Sequence, residues 1–159
     1  MLKKLARKMR FLGFDVIDAR SEERNAVMSL FFAEDRMMLT RDRYVHQQIL
    51  RAGKTSFLIK SDLWRSQLKG VFDRFHLQVD SGLVGTRCMI CNALLESVDP
   101  AEIAKEVPCF VFQTHTVFTR CQRCHKVFWH GTHVDRLMLD LSIEIDRNDS
   151  QTPLKEREG

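Results

Sequence analysis

At 159 residues and 44% apolar content, the chain has enough to bury one ordinary core and a small appended module, but not two full domains. Residues 1–76 carry 16 Lys/Arg against 9 Asp/Glu and residues 77–159 carry 9 against 12, so the front half is the basic half; a polyanionic partner and a merely solvated surface explain that equally well. No run reaches the roughly 18 apolar residues of a membrane span and no secretory leader pattern is present, which excludes a spanning helix and predicts a soluble chain with no membrane partner.

Leu2, Leu5, Met9 and Leu12 recur at helical spacing, with Lys3, Lys4, Arg7, Lys8 and Arg10 on the other arc and Gly13 as a stop. The opening is therefore a basic amphipathic helix; it resembles a mitochondrial targeting helix in having no acid, but it lacks Ser. FDVID (14–18) reads as a strand. Ser21 with Glu22 and Glu23 then suits a helix start, with Ala26, Val27, Leu30 and Phe31 on one face. The order repeats: MMLT then RYVHQQILRAG, and TSFLIK then SDLWRSQLKGVFDRF, where Trp64, Leu68, Val71 and Phe75 make an apolar stripe; HLQV is a last strand. Strands alternating with helices predict βαβ units, a parallel sheet and an α/β class for residues 1–80.

DSGLVG is a turn-rich linker, and residues 84–145 read as a second, small module with short β-like runs such as CFVFQT. A terminal helix is expected near Val134–Ile145, and the polar tail 147–159 is expected to be disordered. Cys88-x2-Cys91 and Cys121-x2-Cys124, 29 residues apart, supply four thiolates in two knuckles, as a closed tetrahedral zinc site requires. Disulfides and an iron cluster are the alternatives, and His125, His130 or His133 is a possible substitute for one sulfur. Four sulfurs leave no open position, so the expected zinc is structural, a clamp and not a reaction centre. Unpaired thiols of this kind suit a reducing compartment, cytoplasmic or nuclear. Cys109, the fifth, is expected to be a buried small hydrophobe. Trp129 and Phe128 either stack on bases or pack against the knuckles, and Arg120, Arg123 and Lys126 are the nearby cations.

Ligands of open parallel sheets bind beyond the carboxyl ends of the strands. Asp15 and Asp18, Asp42, and Asp62 sit at the three such ends. Gathered carboxylates repel unless they share a hard cation, and Mg²⁺ or Mn²⁺ held there activates water for phosphodiester hydrolysis. The competing reading makes Asp42 and Asp62 simple helix N-terminal residues.

Taken together, MLKKLARKMRFLGFD, MMLTRDR, TRCMIC and CQRCHKVFWHGTH resemble the Mut-seven C-terminal RNase domain, a PIN-like fold followed by a zinc ribbon, over about residues 1–138. The resemblance implies a nuclease acting on RNA or other single-stranded nucleic acid, with acidic residues chelating a divalent metal. By position it implies Asp42 and Asp15 as metal ligands, with Asp62 and Glu23 assisting. Lys4, Arg7, Arg41 and Arg43 are candidates for phosphate contacts and Trp129 for a base. The chain departs from the family pattern in three respects. The family's first strand and first acid precede Met1, Lys3 and Lys8 stand where Gly and Trp are usual, and Glu23 is the closest substitute for the second acidic region. The domain is thus expected to be N-terminally truncated relative to the family. A non-catalytic RNA-binding module and a protein-interaction domain are the readings kept beside the nuclease.

Overall fold

A computed structural model describes residues 2–19, 24–129 and 145–146; within these, the side chains of 24–27 and 145–146 are left aside. Helix α1 (Lys3–Phe11) buries Leu5, Met9 and, unexpectedly, Arg10. Gly13 ends the turn after it with φ +94°, a conformation in which a side chain is strained. Helix α2 spans Arg24–Ala33 and buries Phe31. Strand β1 (Met38–Thr40), helix α3 (Arg43–Arg51) and strand β2 (Ser56–Leu58) form one parallel unit with Leu39 opposite Phe57. Helix α4 (Trp64–Phe75) lays Leu68, Val71 and Phe72 against Leu5, Met9 and Leu12 of the α1 segment and Ile59, and this is the main core. His76 closes α4 in the left-handed conformation, φ +50°.

The HLQV strand is reduced to β3 (Val79–Asp80), which pairs in parallel with β7 (Ile145–Asp146) as a separate sheet. Strands β4 (Leu95–Val98), β5 (Phe118–Cys121) and β6 (Val127–Trp129) make a three-stranded antiparallel sheet, ordered as numbered. Between β4 and β5 lie two short helices, α5 (Pro100–Ile103), capped by Asp99, and α6 (Cys109–Thr114). Ile103, Val107 and Phe118 form a second small core, with Val98, Val111 and Val127 against it.

The mixed α/β class is as expected, with three corrections. FDVID joins no sheet among the described residues. Its Val16 N–H donates to Asn92 Oδ1 (3.1 Å) and its Val16 carbonyl accepts from Arg10 Nε (2.7 Å), so side chains satisfy the backbone that a neighbouring strand would have satisfied. CFVFQT is helix α6, begun by Pro108, whose φ of −57° suits a helix start. Cys109 is therefore exposed on a short helix, not buried in a strand. Of the expected terminal helix, only Ile145 falls among the described residues, and it lies in β7; residues 134–144 and the tail 147–159 lie outside them. No described helix is long and apolar enough to cross a membrane.

Candidate metal centre and strand-end acids

The two cysteine pairs form matching knuckles. Asn92 N–H donates to Cys88 O and His125 N–H to Cys121 O, both at 2.9 Å; Cys88 N–H reaches Ala93 O (2.8 Å) and Cys121 N–H reaches Lys126 O (3.0 Å). The residue after each second cysteine is left-handed: Asn92 at φ +71° and His125 at φ +57°. A tight turn after Cys-x-x-Cys demands that conformation, and Asn and His are among the side chains that tolerate it. The antiparallel pairing of β4 with β5 sets Leu95 opposite Cys121 and so brings the knuckles together.

All four Sγ atoms lie within 4.8 Å of one another, and no other such group of three or more His, Cys, Asp or Glu occurs among the described residues. Tetrahedral zinc with Zn–S bonds of about 2.3 Å sets its sulfurs about 3.8 Å apart. Cys88 and Cys124 stand 3.6 Å apart and Cys91 and Cys121 3.3 Å, far beyond a disulfide bond, and all five cysteines are free. The four cysteines can hold a zinc ion. Burial pushes the Cys88 thiol up to about 12 against the Cys91 and Ile90 backbone N–H groups, and burial likewise raises Cys91. For Cys121 burial also acts upward, but the Cys124 backbone N–H and the neighbouring thiols outweigh it and leave that thiol lowered to about 7. A divalent cation held by four cysteines binds them as thiolates, so its uptake would release protons.

Asp42 follows β1 and caps α3: its Oδ1 accepts from Tyr44 N (2.8 Å) and Val45 N (3.2 Å), while its own N–H donates to Thr40 Oγ1 (3.1 Å). Asp62 follows β2, is 81% exposed, and pairs with Arg41 at 2.6 Å. Two of the expected acids thus flank Arg41 at the carboxyl edge of the parallel strands.

Asp15 is engaged elsewhere. Its Oδ1 accepts from Asn92 Nδ2 (2.6 Å), its Oδ2 from Arg36 (3.0 Å), and Arg87 stands 4.0 Å away. Burial works to raise its pKa, but the Arg36 and Asn92 hydrogen bonds and the Arg36 and Arg87 charges prevail and hold the carboxyl below its usual value. Asn92, the residue after Cys91, thus links Asp15 to the first cysteine knuckle. Glu23 lies outside the described residues.

Among the cations, Lys4, Arg7 and Arg43 are exposed. Arg120 is taken by Glu106. Trp129 is 40% exposed and meets His115 edge to face at 6.5 Å. The residues missed from sequence are Arg10, Arg36, Arg87 and Asn92. Only Asn92 had a local signal, its place just after a Cys-x-x-Cys; each arginine also has a partner 21 to 80 positions away.

No curated protein and no solved structure matches the chain. The Mut7-C RNAse domain family model matches residues 1–140, a span that takes in α1, the strand-end acids and both cysteine knuckles. The chain belongs to the Mut7-C RNAse domain family.

Proposed function

We propose that the chain is a metal-dependent ribonuclease of the PIN-like class, hydrolysing RNA phosphodiester bonds at the carboxyl edge of β1 and β2. The observation that carries the reading is Asp42 and Asp62 flanking Arg41 at that edge in a chain of an RNase-domain family. Asp42 would hold Mg²⁺ or Mn²⁺ with its Oδ2, because Oδ1 is committed to the α3 backbone. Asp62 would join after releasing Arg41, and Glu23 is the further acid in the reading. Hard carboxylate oxygens fit such ions, and a bound ion supplies Lewis acidity and an activated water. Arg41, once released by Asp62, is free to take a substrate phosphate; Lys4, Arg7 and Arg43 would track the backbone and Trp129 would stack on a base. Asp15 is the other metal ligand in the reading, and would join after releasing Arg36; its bond from Asn92 also ties residues 1–80 to the 84–145 ribbon. The quartet is read as a closed structural zinc site.

A second reading, an RNA-binding module without catalysis, is favoured by the separate engagement of Asp15, Asp42 and Asp62. Cleavage of labelled single-stranded RNA by the zinc-loaded chain with Mn²⁺, beside Asp42→Asn, decides between them. Asn still caps a helix, so loss of cleavage in a folded variant supports the metal role. Salt-sensitive binding without cleavage in either protein supports the second reading. Absence of binding at physiological salt refutes both and favours an interaction domain.

A further inference from the structure

Helix α1 is poorly equipped to stand by itself. Its N-cap is Leu2, which offers no side-chain cap, and its first turn has no acid but carries Lys3 and Lys4 against the helix dipole. At its other end Arg10 is 3% exposed, and its guanidinium reaches across the molecule. Arg10 Nη1 donates to Ile90 O (2.7 Å) and Met89 O (3.2 Å), the two carbonyls between Cys88 and Cys91, and Nε donates to Val16 O (2.7 Å). The N–H groups of Ile90 and Cys91 serve the Cys88 sulfur, so one side of the knuckle's backbone faces the metal site while its carbonyls are held by α1. A second tie lies beside it. Asn92 accepts from Val16 N–H, donates to Asp15, and its carbonyl accepts from Arg87, which also donates to Gly13 O at 3.2 Å.

We propose that this Arg10–Asn92 latch couples zinc to the front of the chain: loading the quartet orders α1 and the Phe14–Asp18 segment, and emptying it releases them. The inference rests on the quartet being a zinc site and deepens that reading by giving the clamp a distant effect. A buried guanidinium that donates to three carbonyls needs them fixed in place, since each lost bond leaves a desolvated cation less satisfied. Zinc fixes them by closing the knuckle. It also gives the four-thiolate centre a net charge of about −2 beside Arg10, joining the Asp18 carboxylate among the anions that act on the guanidinium. Coupling is reciprocal, so whatever zinc does for α1, the latch does for zinc.

The test uses the full chain with zinc loaded or stripped by a chelator, reading hydrogen exchange of α1 amides and zinc affinity by chelator competition. Asn92→Gly is the informative variant: glycine accepts φ +71° without strain, so the knuckle keeps its turn and only the side-chain ties go. Arg10→Lys is the second, keeping the charge but not the three-carbonyl grip. Stripping zinc should raise α1 exchange at least about tenfold while β1 and β2 amides change little, and Asn92→Gly should weaken zinc binding by on the order of tenfold, two hydrogen bonds at about fivefold each being the ceiling. A chain that takes up no zinc overturns the zinc reading and the latch with it. Zinc uptake with α1 exchange unmoved by stripping, or with both variants within about twofold of the parent affinity, overturns the latch alone.

Discussion

Alanine at Gly13 should cost the chain far more than alanine at either of two other glycines, and the structure says why. Gly13 sits at φ +94°, and a Cβ there would lie 2.6 Å from Leu83 Cβ and 2.7 Å from Leu83 O. Leu83 does not swing away as a flexible side chain would, because Leu83 N–H is bonded to Asp80 O, Thr86 N–H to Leu83 O, and Gly85 N–H to Phe11 O (2.8 Å). The positive φ costs about 1–2 kcal/mol and the forced overlap about 1–3 kcal/mol more. A total of about 2–5 kcal/mol is a large share of the roughly 5–15 kcal/mol that holds a domain together, and shifts Tm by about 10 °C. Gly53, at φ +72° with nothing within 4 Å, should lose only the conformational part, about 1 kcal/mol. Gly70, inside α4 and also in open space, should gain about 0.5–1 kcal/mol as alanine. Urea unfolding of the three zinc-loaded variants, followed by circular dichroism, ranks them. If Gly13→Ala costs no more than Gly53→Ala, the close approach of the turn after α1 to Leu83 is wrong.

Asp42→Ala should lower stability by about 1 kcal/mol through loss of the α3 cap while Asp42→Asn stays near the parent, a contrast read by the same urea curves and contradicted if the two variants behave alike. Asp15 has a depressed pKa, so its stabilisation is present above its unfolded value of about 3.9 and is lost as pH falls through the lower folded value. Asp15→Asn should therefore be less stable than the parent at pH 7, with the two stability curves converging below about pH 4; a gap that is constant with pH would count against the Arg36 and Asn92 bonds. In the zinc-loaded chain iodoacetamide should label Cys109 quickly and the quartet slowly, whereas after chelation the half-buried Cys91 and Cys124 should react faster than they do with zinc. Mass spectrometry of the labelled chain checks this, and fast labelling of Cys88 with zinc present would refute the closed site.

Several features were legible from local pattern. The period of Leu2, Leu5, Met9 and Leu12 marked α1, the alternation of short apolar runs with amphipathic stretches marked β1, α3, β2 and α4, and the spacing of the cysteines marked the quartet. Each is a property of neighbours within a few residues, and backbone geometry imposes it wherever the chain goes. CFVFQT shows where that logic thins. A six-residue stretch with four apolar residues suits a strand or a helix equally, and Pro108 together with packing of Val111 against Ile103 and Phe118 settled it as α6.

The amino-acid sequence by itself determined the helices and strands of the β1–β2 unit, the exposed Lys3, Lys4 and Arg7 of α1 and a four-sulfur centre. Only the tertiary structure decided what the polar residues among them do. It withdrew FDVID from strand pairing, turned Asp15 towards Asn92 and Arg36, set Asp62 on Arg41, and buried Arg10 against the knuckle carbonyls. The physical reason is that a charged or hydrogen-bonding side chain takes whichever partner the fold brings within about 3 Å, and partners 76 to 80 residues apart leave no trace in local spacing.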